Sequence, residues 1–471
     1  MSKMYINGAF VSSPERFEVK NPTTGEVLNS MPIASPAQVE EAIAAAKASQ
    51  KAWEARPAIE RASYLRKIAA NIRANADEIA KVIVKEQGKI LGLAQVEVAF
   101  TADYMDYMSE WARRYEGEIL QSDRAREKIF LFKQAIGVTT GILPWNFPFF
   151  LIARKLAPAF VTGNTIVIKP SSDTPNNAYE FAKALHEAGL PKGVFNLVYG
   201  SGSSVGSTLA SHKDVGMVSF TGSVEAGVKI MEAASKNLVK VNLELGGKAP
   251  AIVCDDANID AAVNFIKASR VINSGQVCNC AERVYVQEGV YEAFLGKLIA
   301  AMKGTSFGDP FGNVDMGPMI NRAGWQSAAD MLARAANAGA KIECGGKNLE
   351  QNGGLYFEPT VVTGLKQSDE LIQKEVFAPI LPVIAFKELD EAIELANDSD
   401  YGLTSSIYTQ NLSRAMQACK ELKFGETYVN RENFEAMQGF HAGFRKSGIG
   451  GADGKHGLEE YLASHIVYLD Y

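Results

Sequence analysis

Thr165-Ile-Val-Ile168, a helical stretch over 175–188, and Val194-Phe-Asn-Leu-Val198 together decide the fold of this chain. Two short apolar runs rich in β-branched residues flank a segment that stops at Gly189 with Pro191 just beyond, a normal helix ending. Working outward, Val215–Phe220, a helix over 224–236 and Ala249–Cys254 repeat the pattern, and a second strand and helix alternation runs from about 255 to 430. Such alternation predicts an α/β fold with mostly parallel sheets covered on both faces. At 471 residues the chain is too long for one core, so two large domains are expected. Upstream, Ser35-Pro-Ala-Gln38 reads as a capping box with proline at the first helical position, and 36 to about 115 reads as mostly helix. Asn7-Gly8 reads as a hairpin turn. Lys128-Ile-Phe-Leu-Phe-Lys133 and His465-Ile-Val-Tyr-Leu469 read as edge strands that invite pairing, within the chain or with another subunit.

Composition narrows the function. The chain is 47% hydrophobic and 22% charged with a net charge of -6, and its Lys and Arg are scattered, which argues against nucleic acid as a partner. The most apolar stretch, beginning at Phe147, is broken by Arg154 and Lys155, so no membrane span is expected. The N-terminus has no continuous apolar core, and no secretory signal is expected. Five cysteines without framework spacing fit a reducing compartment, the cytoplasm by default. Cys278-x-Cys280 is not a metal or redox pair and has no histidine near it in sequence, so no metal is expected.

Four segments carry chemistry-bearing residues. Asn273-Ser-Gly-Gln-Val-Cys278 places a thiol after a small-residue turn, where a nucleophile gains access, although most cysteines are simply buried small hydrophobes. Leu243-Glu-Leu-Gly-Gly-Lys248 places Glu244 among apolar neighbours, where a raised pKa would suit a general base, or else a solvated carboxylate before a turn. Two prolines stiffen Ile142-Leu-Pro-Trp-Asn-Phe-Pro148 around Asn146, whose amide can donate to an oxyanion or satisfy its own backbone. Phe220-Thr-Gly-Ser223 ends an apolar run and caps a helix, an arrangement suited to a pyrophosphate. The Gly200-x-Gly202-x-x-x-Gly206 spacing departs from the dinucleotide fingerprint by one residue and reads as helix packing.

In this order, Pro144-Trp-Asn146, Lys169-Pro-Ser171, Phe220–Ser223, Glu244–Lys248, Gly275–Cys278 and Glu375-Val-Phe-Ala-Pro379 resemble the aldehyde dehydrogenase superfamily over nearly the whole chain. The departure is Ala378, where glycine is usual, which puts the local backbone in question. The resemblance implies a Rossmann-type dinucleotide-binding domain (1–116 and 136–246), a second α/β catalytic domain (247–445), and a small β oligomerisation extension (117–135 and 460–471). It implies Cys278 as nucleophile, Asn146 as oxyanion donor and Glu244 as the base that activates water on the thioester. It places an NAD or NADP cofactor along Pro144, Trp145, Lys169, Ser172, Gly222, Ser223, Glu375 and Phe377. Relatives that prefer NAD often carry glutamate where this chain has Ser172, which implies that NADP is tolerated. It also implies a homo-oligomer, dimer or tetramer.

Within the superfamily, Val96–Asp103, Asn279-Cys-Ala-Glu282 and Asn430–His441 resemble the lactaldehyde and glycolaldehyde dehydrogenases. That implies a polar pocket of Arg154, Asn279, Glu435 and His441 reading a small hydroxyaldehyde. The runner-up is the succinate semialdehyde branch, which also resembles Lys169–Ser172 and Arg154. That branch usually has a second arginine six residues before the cysteine, where Ile272 stands here. A cysteine-dependent acyl hydrolase without nucleotide would leave Lys169, Ser223 and Glu375 unexplained, and a catalytically dead homologue would not keep both Cys278 and Glu244.

Overall fold

A computed structural model describes residues 2–471. Its larger sheet has eight strands, in the order Ala9–Val11, Met4–Ile6, Phe195–Leu197, Thr165–Lys169, Val138–Ile142, Met217–Thr221, Lys240–Glu244 and Gly448–Ile449. The five central strands are parallel, and the flanking three are antiparallel. Chain order among the five reverses between Val138–Ile142 and Met217–Thr221. A ligand crevice opens at such a reversal, beyond the carboxyl ends of the strands.

The opening stretch folds as read: strand Thr165–Lys169, helix Asn176–Glu187 and strand Phe195–Leu197 are consecutive in chain and in sheet. Gly189, at φ +69°, takes the left-handed turn after the helix. Four helices fill 36–115: Pro36–Glu54, Ala58–Ala74, Ala76–Gln87 and Leu91–Glu110. Ser35 and Gln38 make the reciprocal capping bonds. Asn7 and Gly8, both at positive φ, turn the hairpin of Met4–Ile6 and Ala9–Val11.

A second, seven-stranded sheet runs Lys341–Cys344, Thr360–Thr363, Ile380–Phe386, Ala281–Gln287, Ala249–Val253, Thr404–Tyr408 and Glu426–Val429, parallel except at its first pair. Leu462–Asp470 pairs antiparallel with Glu127–Ala135, which also pairs with Glu118–Leu120. The two edge segments of the sequence are thus partners within one chain. Their sheet still exposes Ile119, Phe132, Ile466 and Tyr468.

One consequence of the topology was not legible in the sequence. After the second sheet the chain returns, and Gly448–Ile449 joins the first sheet beside Leu243 and Glu244. The residues that follow close over the helix Phe150–Val161. That helix is buried along its whole length, including Arg154 and Lys155, the charges that interrupt the apolar stretch. No helix among the described residues is long and apolar enough to cross a membrane.

Candidate active site

Three chain segments reach the crevice because their strands end there. The loop after Val138–Ile142 carries Pro144, Trp145 and Asn146; the turn after Met217–Thr221 carries Gly222 and Ser223; Glu244 ends the neighbouring strand. Ser223 accepts from the N–H of Ala226 as N-cap of the helix Val224–Ala234, and the Gly222 N–H donates to the Glu244 carbonyl at 3.1 Å. Trp145 meets Phe377 edge-on, with ring centroids 5.5 Å apart.

Cys278 arrives from the second sheet on a turn that few sequences could make. Asn273, Ser274 and Gly275 all lie at positive φ, and a Cβ on Gly275 would sit 2.4 Å from the carbonyl carbon of Ala378. The Asn146 side chain donates to the Gln276 carbonyl at 3.1 Å, which ties the proline-stiffened loop to this turn. Beneath it, buried Lys89 pairs with Glu97 at 2.6 Å and donates to the Asn146 carbonyl at 2.6 Å. Glu97 in turn accepts from the N–H groups of Phe149 and Phe150. Ala378 stays out of the positive-φ region and belongs to a buried cluster with Val376 and Ile380, while Phe377 beside it lies at φ 56°.

Two cavities meet at this point. One, of about 170 Å³, has apolar walls that include Phe100, Phe150, Ile272 and Phe434, and a polar floor with Arg154, Asn279 and Glu435. The other, of about 240 Å³, runs past Trp145, Gly222, Ser223, Gly246, Glu375 and Phe377. Asn146, Thr221, Glu244 and Cys278 line both. A molecule in either cavity therefore faces the same sulfur.

The electrostatics correct one expectation. Burial alone would raise the Glu244 carboxyl, as the sequence suggested, but Lys155, Arg154 and His441 together hold it below the ordinary carboxylate value. Arg154 Nη1 lies 3.4 Å and Lys155 Nζ 3.6 Å from its oxygens. Glu244 is neither a solvated turn residue nor a neutralised acid but a buried, ionised carboxylate.

Arg154 sits at the centre of a network. Its Nε donates to Asp453 Oδ1 at 3.1 Å, its Nη2 to both Asp453 Oδ2 and Glu435 Oε1, the latter at 3.0 Å. Asn279 donates to the other oxygen of Glu435. His441 does not line the cavity. It lies behind the floor, within reach of the Cys278 thiol, with Nδ1 2.6 Å from Glu426 Oε1. Burial and the nearby Arg154 oppose a charge on its ring, yet the Glu426 carboxylate and the Cys278 contact together carry the imidazole well above its ordinary pKa.

The second cavity has the features a dinucleotide needs. Gly222 and Ser223, at the start of the helix Val224–Ala234, line it, and a helix N-terminus suits a phosphate. Lys169 is buried, its side-chain hydrogen bond is to the carbonyl of Pro170, and burial pulls its ammonium down to about 8, so donors remain for a ligand. Glu375 accepts from the Gly247 N–H at 2.8 Å, and burial pushes its carboxyl up to about 8. A side chain at Gly246 would strike Glu375, so the close approach requires glycine. Ser172 is exposed on the loop that follows Lys169. No cluster of three or more potential metal ligands occurs among the described residues.

Asp453, Lys155, Glu426, Lys89 and Glu97 were not singled out from the sequence.

The geometry agrees with the relatives. The aldehyde dehydrogenase family profile matches residues 10–467. The chain is 62% identical over 470 residues to the lactaldehyde dehydrogenase of Escherichia coli, covering 99% of this chain and 98% of that one. A solved structure of lactaldehyde dehydrogenase superposes with a TM-score of 0.99 at 61% identity, covering 100% of this chain and 99% of the other. A 3,6-anhydro-L-galactose dehydrogenase solved in complex with NAP superposes with a TM-score of 0.97 at 42% identity, covering 100% of both chains. A matching profile along almost its entire length, and two cavities converging on one cysteine, place this chain in the aldehyde dehydrogenase family.

Proposed function

We propose that this enzyme oxidises small 2-hydroxyaldehydes, lactaldehyde and glycolaldehyde, to their carboxylates with NAD, and that NADP is also accepted. The observation that carries the reading is the meeting of the two cavities on Cys278, with hydroxyl-binding groups on the floor of one and dinucleotide-binding features along the other. The lactaldehyde dehydrogenase relative supports the substrate.

In this reading the Cys278 sulfur attacks the aldehyde carbon, and the oxyanion is held by the Asn146 amide and the Cys278 N–H. Asn146 has one amide hydrogen on Gln276 and a second left for this purpose. His441, held by Glu426 at 2.6 Å, stands within hydrogen-bonding reach of the Cys278 thiol. A nicotinamide dinucleotide, when bound, takes up the hydride. Glu244, already ionised, then draws a proton from the water that cleaves the thioester. The substrate hydroxyl donates to Glu435 and accepts from Asn279, so an aldehyde lacking it leaves buried polar groups unpaired.

Cofactor contacts follow the second cavity, with Trp145 and Pro144 at the nicotinamide end beside Glu375 and Phe377 and with Gly222 and Ser223 at the pyrophosphate; Lys169 and Ser172, which lie outside its lining, are assigned to the adenosine ribose by the family resemblance. Residues 1–116 and 136–246 form the dinucleotide-binding domain and 247–445 the catalytic domain. The exposed apolar residues of 117–135 and 460–471 support a homo-oligomeric interface, dimer or tetramer, and the scattered reduced cysteines a cytoplasmic enzyme.

Succinate semialdehyde is the weaker substrate in this reading, since Ile272 supplies no second cation and the Arg154 donors are already engaged. A panel of lactaldehyde, glycolaldehyde and succinate semialdehyde with NAD and NADP tests all of this. We expect higher kcat/KM for the hydroxyaldehydes and measurable turnover with NADP. The reverse order would refute the substrate, no turnover with NADP the cofactor breadth, and product without reduced-nicotinamide absorbance would favour an acyl hydrolase.

A further inference from the structure

We propose that Asp453 is a specificity-determining positioning residue: by occupying the fork of Arg154 it makes the pocket floor turn away aldehydes that carry a carboxylate. The inference rests on the hydroxyaldehyde reading above and deepens it.

The first support is geometric. An arginine that binds a carboxylate usually offers two parallel N–H donors. In Arg154 that pair, Nε and Nη2, faces both oxygens of Asp453, and the remaining nitrogen points to Glu244 at 3.4 Å. The guanidinium also lies over the Phe150 ring, 4.9 Å from its centroid, which fixes its plane. No paired donors are left for a substrate.

The second support is the backbone of Asp453. Its φ of 68° and ψ of 165° fall in a region essentially reserved for glycine. An aspartate is held there with its side chain almost wholly buried and both oxygens on Arg154. Strain of this kind persists where the surrounding structure needs the side chain in that place.

The third support is charge. The cationic groups at the floor are Arg154, Lys155 and His441; facing them are the carboxylates of Asp453, Glu435, Glu244 and Glu426. An entering carboxylate meets the Glu435 oxygens with no compensating cation. The apolar walls at Ile272 and Phe434 cannot replace the water it would lose. A neutral hydroxyl meets the same carboxylates as acceptors.

The test uses the full chain with Asp453→Asn and Asp453→Gly. Glycine adopts this backbone without strain, and asparagine is isosteric with the aspartate already held there, so a folding failure of one variant leaves the other to carry the test. We measure kcat/KM for glycolaldehyde, succinate semialdehyde and the methyl ester of succinate semialdehyde, which keeps the chain length without the charge. The expected result is at least a tenfold rise in the ratio of succinate semialdehyde to glycolaldehyde, carried by a lower KM, and no such rise for the ester. A parallel fall for all three substrates would overturn the proposal in favour of a structural role. An equal rise for acid and ester would overturn it in favour of pocket size. Failure of the underlying reading is distinct, because it appears in the parent enzyme as a preference for succinate semialdehyde over glycolaldehyde.

Discussion

Replacing Glu244 by glutamine separates the two halves of the reaction. The amide keeps the shape of the carboxylate but cannot take a proton from water, so cleavage of the thioester should slow by about 10²- to 10⁴-fold, or about 3–5 kcal/mol of barrier. The cost to the fold is smaller than for most buried charges, where loss of a partner runs to about 3–5 kcal/mol. Arg154 keeps Asp453 and Glu435, and Lys155 keeps the hydroxyls of Ser219 and Thr221 at 3.0 and 2.8 Å. A loss of about 1–3 kcal/mol is expected, which leaves the protein folded. Rapid mixing with glycolaldehyde and NAD should therefore give a burst of reduced-nicotinamide absorbance, near one equivalent per subunit, followed by a slow steady state. In the parent enzyme the acid limb of kcat should lie below the pH of an ordinary glutamate, because Glu244 is held below its value of 4.5. The linked stability has the same sign: a depressed carboxyl contributes stability above pH 4.5 that is lost as pH falls through its folded value. An unchanged steady rate, or no burst while Cys278 still reacts with iodoacetamide, would refute Glu244 as the base.

Asn146→Ala removes the oxyanion donor and should lower kcat by about 10²- to 10³-fold with little change in KM; a loss confined to KM would make it a binding residue instead. Cys278→Ser should abolish dehydrogenase turnover, and full activity in that variant would end the covalent mechanism. Glu375 holds its proton in the fold to about 8, whereas an unfolded carboxyl releases it near 4.5. The native state therefore binds more protons across that window, and this residue costs stability as pH rises through it. Glu375→Gln should show a Tm advantage over the parent that opens between pH 4.5 and 8; a gap independent of pH would contradict the buried acid.

Much of this was legible because local chemistry and sheet topology coincide. The strand, helix, strand unit around Thr165–Lys169 has a readable period and a readable stop at Gly189. Asn146 and Ser223 lie on the loops that follow strands and Glu244 ends one, so motif order translated into proximity. The pKa of Glu244 did not follow from its apolar neighbours in sequence, because its real neighbours are Arg154 and Lys155 from a helix 90 residues earlier. His441 was read as part of the polar pocket; it stands within reach of the Cys278 thiol on a bond to Glu426, a partner that is silent in the sequence. Asp453 left only a turn-like Ala-Asp-Gly, since a long-range ion pair has no local periodicity. Lys89 and Glu97 carry no signal of their own in the sequence, and only packing shows that they grip the loop of Asn146.

The return of the chain at Gly448–Ile449 has a bearing on how the protein is made. Arg154 and Asp453 are 299 residues apart, so a ribosome working at 5–20 residues per second delivers the second about 15–60 s after the first. For that interval the helix Phe150–Val161 has emerged without its principal counter-ion, and its two basic side chains cannot be buried at low cost. The strands of the first sheet up to Glu244 can pair early, while the floor around Arg154 must wait for the last turn of the chain to dock. A nascent chain stalled before residue 453 would hold most of its core and leave Arg154 without the carboxylate that fills its fork.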